Sequence, residues 1–228
     1  LNSNPAPGLS GAQPEQKEEA PMTVRKFLAG PLGTNCYLLT NEETKEAVVI
    51  DPASLPVSLM NVIRDEGLRI CAILLTHAHY DHIMGIGDVL EEYGEMPVYV
   101  HEKDRNMLES ARLNMSAYGG GAYEYHGAGT LSGGEELNPA GLKIRVFHTP
   151  GHTLGGVCYY LEDDGVLISG DTLFRDSVGR TDFPGGSMSD LVRSIREKLF
   201  VLPDETKVYP GHMGTTTIGH EKSYNPFL

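Results

Sequence analysis

The stretch THAHYDH, residues 76–82, decides how this chain folds, and it directly follows the apolar run Ile70–Leu75. A short apolar run of this kind is typical of a buried strand. In extended backbone His77 and His79 project to the same side, and a turn into a following helix brings the aspartate and the last histidine to the same point. Such a density of metal-binding side chains predicts a metal centre at a strand end, with room for two neighbouring ions.

Three further strand-like runs end in a residue that can bind a metal. IRVF (144–147) leads to His152, GVLIS (165–169) to Asp171, and KVY (207–209) to His212. Sites in α/β folds form at the carboxyl ends of strands, so these remote residues can converge. A glycine before each of the three lets the backbone approach an ion closely. The predicted ligands are His77, His79, Asp81, His82, His152, Asp171 and His212.

The types of side chain among the predicted ligands indicate which metal to expect. Imidazole and carboxylate without thiolate suit zinc, with iron or manganese as alternatives. The remaining histidines follow no such pattern, and we expect them to be hydrogen-bonded core or surface residues; they are His101, His126, His148 and His220.

Length and composition predict one domain. The chain has 228 residues, of which 40% are apolar, enough to bury a full core. Residues 1–21 are rich in proline and small polar residues without apolar periodicity, so we expect a disordered tail or a non-native remnant there. Residues 22–228 are predicted to form the single domain.

Net charge, the length of apolar runs and cysteine spacing indicate which partners and which compartment to expect. A formal charge of −13 repels phosphate backbones and anionic lipid surfaces, which argues against nucleic acid. No apolar run reaches the roughly 18 residues of a membrane span. The three cysteines, Cys36, Cys71 and Cys158, lie far apart and outside any C-x-x-C pattern, so no disulfide framework is expected. These features favour the cytoplasm, and nothing indicates an oligomeric state.

Short apolar runs alternate with segments of helical period, which is typical of an α/β domain. The predicted strands are 35–40, 47–51, 70–75, 97–101, 142–148, 157–161, 165–169 and 207–210. Helices are predicted before Gly67, before Gly94, and from a Ser187 cap to just before Pro203. The Gly-rich stretch 114–134 has no steady period, and we expect a long surface loop that covers the site or has no role.

The motifs together resemble the metallo-β-lactamase superfamily and, within it, the hydroxyacylglutathione hydrolase (glyoxalase II)-like branch. Beside THAHYDH they include GPLGTNCY (30–37), IDP (50–52), HTPGHT (148–153), GDTLF (170–174), GRTDFPGG (179–186), YPGH (209–212) and NPF (225–227). The resemblance covers nearly all of residues 24–228.

That resemblance implies a four-layer αβ/βα sandwich with two metal ions at one edge. One ion would be held by His77, His79 and His152, and the other by Asp81, His82 and His212, with Asp171 bridging them. Asp81 and Asp171 are the carboxylates expected to take part in catalysis. The family's aspartate next to the site corresponds to Asp51, which would orient ligands; an ordinary strand-end turn is the alternative.

The chain departs from glyoxalase II near its end. Because the given sequence ends soon after His212, we expect no C-terminal helical region of the kind that helps those enzymes to hold glutathione. The loop with Arg180, Thr181 and Phe183 stands where that family contacts the glycine carboxylate of glutathione, with Arg180 as the cation. The alternative is that Arg180 and Asp182 only pair with each other.

The predicted activity is hydrolysis by a hydroxide that bridges two metal ions. Because every polar residue of the predicted centre is used as a ligand, no acid remains to protonate a poor leaving group, whereas a thiolate leaves near neutral pH unaided. The expected substrate is therefore a small thioester such as an S-acylglutathione. One alternative is a mononuclear iron persulfide dioxygenase that uses His77, His152 and Asp171. The other is a metal-binding module without enzymatic activity.

Overall fold

Two six-stranded sheets form the centre of the computed structural model, which describes residues 22–119 and 121–228. The first sheet runs in the order β1 (Met22–Ala29), β2 (Thr34–Asn41), β3 (Glu46–Ile50), β4 (Arg69–Leu74), β5 (Val98–His101) and β6 (Gly129–Leu131). The second sheet contains β7 (Glu136–Leu137), β8 (Ile144–His148), β9 (Val157–Leu161), β10 (Val166–Gly170), β13 (Lys207–Pro210) and β14 (Thr216–Thr217). Its order is β14-β13-β10-β9-β8-β7, and a small hairpin joins β11 (Leu173–Phe174) to β12 (Ser177–Val178). The tail predicted for residues 1–21 lies outside the described residues.

Helices cover the outer face of each sheet. They are α1 (Val57–Glu66), α2 (Tyr80–Ile83), α3 (Ile86–Tyr93), α4 (Arg105–Leu108), α5 (Ser116–Gly119), α6 (Met188–Ser194) and α7 (Ile218–Tyr224), and a π-helical turn, Ile195–Leu199, continues α6. Gly67 ends α1 with a φ of 64°, a left-handed conformation that favours glycine. Ser187 caps α6 by accepting a hydrogen bond from the Asp190 amide, as its sequence predicts. None of the helices in the described part of the chain is long and apolar enough to cross a membrane.

The alternation of side chains along the strands divides the core into three parts. Val48 and Ile50 point between the sheets and pack near Val146 and Tyr159 of the second sheet. Their neighbour Val49 points outward, into the core that α1 and α3 cover. On the far side, Leu167 and Val208 pack with Leu191 of α6. The predicted four-layer αβ/βα sandwich is confirmed, because each strand has one face for each adjoining layer.

Hydrogen bonds that cross from one sheet to the other fix the edge at which the predicted ligands lie. From the second sheet, the Val157 amide donates to the carbonyl of Thr76 at 2.8 Å, and the Tyr159 hydroxyl donates to that of Leu75 at 2.7 Å. In the opposite direction, the Tyr37 hydroxyl donates to the carbonyl of Pro210 at 2.6 Å. The loops that carry the ligands are thus tied to both sheets.

The structure corrects two expectations. The predicted strands did not include β1, which pairs with β2 over its full length, or the short strands β6, β7, β11, β12 and β14. The stretch 114–134 is not a surface loop throughout, since it contains α5 and β6. Asn114 is buried and organises the segment: its side chain accepts from the Ser116 amide at 2.9 Å and donates to the Tyr123 carbonyl at 2.8 Å. Such local side-chain bonds leave no periodic signal in the sequence.

Candidate metal centre

Three buried imidazoles form the first set of ligand atoms. His77 and His79 come from the segment after β4, and His152 comes from the loop after β8. His79 Nδ1 and His152 Nε2 lie 2.9 Å apart, and the His77 ring lies within 5 Å of both, with centroid distances of 4.9 and 4.7 Å. The three residues together offer nitrogens close enough for one ion.

The second set combines a carboxylate with two imidazoles. Asp81 and His82 lie on α2, and His212 follows β13. Asp81 Oδ2 is 3.2 Å from His212 Nε2 and 3.6 Å from His82 Nε2. The Thr34 hydroxyl donates to the same carboxylate oxygen at 3.2 Å, a contact that the sequence did not indicate.

Asp171, directly after β10, faces both sets. One of its oxygens, Oδ1, is 3.4 Å from His82 Nε2, and the other, Oδ2, is 3.6 Å from both His152 Nε2 and His212 Nε2. A carboxylate in this position can bridge two ions. The structure therefore brings all seven predicted ligands together.

Unpaired buried atoms test whether these residues fit cations. His77 Nε2, His82 Nε2 and Asp171 Oδ1 are buried without a hydrogen-bond partner among the described residues. Buried polar atoms are nearly always hydrogen-bonded, so three buried atoms of one centre without a partner require an explanation. Cations bound between them would supply the missing partners, and zinc, iron or manganese suits the donor set.

Asp51 contacts the second set through the Nδ1 atom of His82. It lies at the end of β3 with a φ of 51°, an uncommon left-handed conformation for a residue with a side chain. Its carboxylate accepts from the Thr76 amide at 2.7 Å and the Thr76 hydroxyl at 2.6 Å, and it lies 2.9 Å from His82 Nδ1. Because its oxygens are already occupied, Asp51 is placed to orient His82 and not to bind an ion.

Gly211 leaves the space into which two ligands project. A Cβ atom at this position would overlap Asp171 Oδ1 and would lie 2.7 Å from His82 Cε1. Any side chain there would displace the second set. The glycine predicted to allow close approach before His212 is thus required by packing.

A family model described as the metallo-beta-lactamase superfamily matches residues 29–212. The chain belongs to the metallo-β-lactamase superfamily. Membership of the superfamily makes it a metallo-hydrolase in general terms.

Several curated relatives span almost the same length. An uncharacterized protein of Mycobacterium leprae is 42% identical and covers 91% of this chain and 99% of its own. A probable metallo-hydrolase of Bacillus subtilis, YqgX, is 38% identical, with 91% and 98% covered. The hydroxyacylglutathione hydrolase GloC of Haemophilus influenzae is 35% identical, with 85% and 92% covered.

Two solved structures share the fold at high similarity. The BLEG-1 B3 metallo-beta-lactamase has a TM-score of 0.84 and 42% identity, and the match covers 90% of this chain and 99% of that one. TTHA1623, solved in a di-iron-bound form, has a TM-score of 0.78 and 38% identity, with 90% and 100% covered.

Burial and neighbouring charges shift the pKa values of the imidazoles in the candidate metal centre. Burial, and then the adjacent imidazoles, hold the pKa of His77 well below its ordinary value, and the same causes lower the pKa of His79 to about 3. These two rings are therefore neutral at pH 7 and can donate lone pairs. Burial disfavours charge on His82 as well, but Asp81, Asp171 and Asp51 outweigh it and raise its pKa to about 10. A cation bound at the second set would displace that proton.

Asp104 joins the two loops that carry the first set, and no sequence motif indicated this role. It is fully buried and accepts from the Thr153 hydroxyl at 2.7 Å, the Gly155 amide at 2.7 Å and the Ala78 amide at 3.3 Å. Burial, opposed by these hydrogen bonds, raises its pKa. One side chain thus fixes the segment of His77 and His79 relative to the loop of His152.

A cleft of about 440 Å³ opens above the centre. Ligand residues form its floor, and most of its walls are apolar. The apolar wall residues are Leu32, Met115, Phe174, Val178, Phe183 and Met213. The polar wall residues that do not belong to the ligand set are Tyr80, Ser177 and Arg180. Only Phe183 and Arg180 among these were predicted to contact the substrate. Tyr80, inside THAHYDH, and the other wall residues were not, because a sequence motif does not show which side chains face a cleft.

The predicted glutathione-contact loop reaches the cleft in part. Arg180 and Phe183 line it, whereas Thr181 does not. The guanidinium of Arg180 donates twice to Asp182, at 2.7 Å each, and lies 3.9 Å from the centroid of the Phe183 ring. The Arg180 carbonyl lies 2.7 Å from His152 Nδ1, so it can accept from that ligand ring. Arg180 thus pairs with Asp182 while it lines the cleft, and its contact with a substrate carboxylate stays a prediction.

The other histidines make local contacts. His101 stacks on His148 with a centroid distance of 4.0 Å, and each has a backbone carbonyl 2.9 Å from its Nε2, that of Ser132 and that of Leu154 respectively. His126 is exposed. His220 lies 2.6 Å from Asp176, away from the centre. These contacts are the hydrogen-bonded core and surface roles expected for these histidines.

Proposed function

We propose that this chain is a metal-dependent thioester hydrolase that acts on S-acylglutathione-type substrates. The observation that carries the proposal is the position of Asp171, which faces both ligand sets at the floor of a mostly apolar cleft. Its role would be to hold two cations, and the remaining ligands would complete each set: His77, His79 and His152 for the first, and Asp81, His82 and His212 for the second. When bound, two such cations lower the pKa of a water between them to about 7 and polarise a carbonyl.

The polar groups of the cleft restrict the leaving group. Among the described residues of the cleft wall, Tyr80 is the only titratable acid outside the ligand set, and burial raises the pKa of its phenol further. A phenol of this kind is poorly matched to protonating an alkoxide or amine near neutral pH. A thiol has a pKa of about 8.5, so a thiolate can leave without an acid.

The reaction balances without a further cofactor. A bond forms between the acyl carbon and the oxygen of water, and the carbon–sulfur bond breaks. The electron pair of that bond leaves on sulfur as a thiolate, and the protons of the water pass to solvent or to the thiolate. The products are a carboxylate and a thiol.

The relatives support the substrate class. The Haemophilus influenzae protein named hydroxyacylglutathione hydrolase is 35% identical over 196 residues. The GRTDF loop beside the cleft is the part of this chain that resembles the glutathione-contact loop of that branch. Both lines of support favour a glutathione-linked thioester.

The test is the rate of S-D-lactoylglutathione hydrolysis by protein of known metal content. We expect turnover that is abolished by chelation and by Asp171→Asn, because that substitution removes a negative charge shared by both sets. Negligible turnover by metal-loaded protein would overturn the glutathione assignment. Absence of turnover with thioesters, esters, lactams and phosphodiesters together would favour a metal-binding module without enzymatic activity.

A second candidate is the mononuclear iron persulfide dioxygenase. TTHA1623, to which the chain is similar, was solved in a di-iron-bound form, which supports iron as a metal to test at this centre. The residues involved would be His77, His152 and Asp171, a two-histidine, one-carboxylate set. Oxygen consumption by iron-loaded protein with glutathione persulfide would support this candidate, whereas zinc-loaded hydrolase should consume none.

A further inference from the structure

A second depression lies directly beside the cleft. It has a volume of about 350 Å³ and is lined by Arg112, Leu113, Met115, Tyr118 and Pro184. Met115 also lines the cleft, so one side chain separates the two spaces. Leu113 is 47% exposed and Tyr118 67%, so the depression presents two large side chains to solvent.

The two spaces adjoin each other at two places. On one side Met115 lies between them with a φ of 73°, a strained left-handed conformation for a long side chain. On the other, Phe183 lines the cleft and the next residue, Pro184, lines the depression. The carbonyl of Asn114 accepts from the Tyr80 amide at 2.9 Å, which ties this wall to the metal-binding segment.

Arg112 provides a free cation at the depression. Within residues 22–119 and 121–228 it has no hydrogen-bond or ion-pair partner. Arg180, the cation of the cleft itself, is neutralised by its double hydrogen bond to Asp182. In a chain of net charge −13, an unpaired arginine next to an apolar surface is suited to an anionic group of a ligand.

We infer that the thiol arm of the substrate crosses Met115 and lies in this depression, with its anionic end at Arg112. The inference rests on the proposed thioesterase function and names the part of the substrate that the depression binds. Biological thiol carriers have a neutral, flexible arm that ends in carboxylates or phosphates. The apolar wall suits the arm, and the guanidinium suits either anion.

The test compares one acyl group on three thiols. N-acetylcysteamine supplies a neutral arm, glutathione an arm with carboxylates, and coenzyme A an arm with phosphates. For Arg112→Gln we expect KM for the anionic carrier to rise about tenfold, equivalent to roughly 1.4 kcal/mol, with kcat unchanged. KM for the neutral thioester should not change, and Arg112→Lys should retain most of the affinity.

The control is Arg196→Gln, which removes an exposed arginine from the turn after α6 and should change no KM. The carrier whose KM depends on Arg112 identifies carboxylate or phosphate as the anion. Unchanged KM values in Arg112→Gln, or an equal rise for the neutral thioester, would overturn the inference.

A binding measurement keeps the inference separate from the activity. Calorimetry with metal-loaded protein and S-methylglutathione or coenzyme A needs no turnover. Weaker binding to Arg112→Gln than to the natural protein supports the depression even if no thioester is hydrolysed, in which case only the proposed function fails. Equal binding by both proteins, or no binding by either, contradicts the inference.

Discussion

The carboxylate of Asp51 shows how one residue outside the ligand set controls the centre. It contacts Thr76 twice and lies 2.9 Å from His82 Nδ1, so it fixes which nitrogen of His82 faces Asp81 and Asp171. Removing such a partner of a metal ligand typically costs about 10–100-fold in metal affinity.

We therefore expect Asp51→Asn to lower the affinity for metal by about 10–100-fold. The amide keeps the size of the side chain but not its charge or both acceptors. Competition against a chelator of known affinity measures the change. Asp65→Asn, at an exposed residue paired with Arg64, is the control. An affinity equal to that of the natural protein would show that Asp51 is only part of a strand-end turn.

Replacing Tyr80 tests whether the thiolate leaves without a general acid. If a thiolate leaves unaided, Tyr80→Phe should leave kcat for thioester hydrolysis within about threefold, since general acid catalysis typically contributes 10²–10⁴-fold where it operates. Steady-state kinetics with S-D-lactoylglutathione give the answer. A fall of about a hundredfold with metal content unchanged would make the phenol a general acid.

At the scale of elements, the centre depends on how loops approach one another after the strands end. The segment of Gly211 passes so close to β10 that the Gly211 amide donates to the Gly170 carbonyl at 2.8 Å. Gly214, two residues beyond His212, has open space where a Cβ atom would be.

Gly211→Ala should therefore release metal from the second set, because its methyl group overlaps Asp171 and approaches His82. We expect the metal content, measured by elemental analysis, to fall by about half or more and activity to fall with it. Gly214→Ala is the matched control and should retain full metal content. A fully loaded, active Gly211→Ala protein would mean that the loop can move aside.

Replacing Asp104 should lower the free energy of unfolding. Its replacement by alanine leaves the Ala78 amide, the Gly155 amide and the Thr153 hydroxyl without an acceptor, at a cost of about 2–4 kcal/mol. Urea unfolding measures the loss, with the exposed neighbour Glu102→Ala as the control. A loss below about 0.5 kcal/mol, the usual range of surface substitutions, would contradict this role.

These elements also show what the sequence could and could not predict. His77, Asp171 and His212 were predictable because each follows an apolar strand, and strand ends meet at one edge of the fold. Asp104 and Tyr80 were not, since their roles depend on contacts with loops remote in sequence. The order within 114–134 was missed for a related reason: Asn114 organises it through side-chain hydrogen bonds, which have no period.

At the scale of the whole molecule, the centre joins the two sheets. His77, His79, Asp81 and His82 follow β4 of the first sheet, whereas His152, Asp171 and His212 follow β8, β10 and β13 of the second. Neither sheet alone supplies all the ligands of either set. We therefore expect the assembled molecule to bind two ions and thioester hydrolysis to need both.

Stepwise addition of zinc to metal-free protein, with the rate of S-D-lactoylglutathione hydrolysis measured at each step, tests that claim most directly. The two sets that share Asp171 predict a rate that rises until two equivalents of zinc per chain are bound and is then constant. A rate that is maximal at one equivalent, or that does not depend on metal, would contradict a two-ion thioester hydrolase.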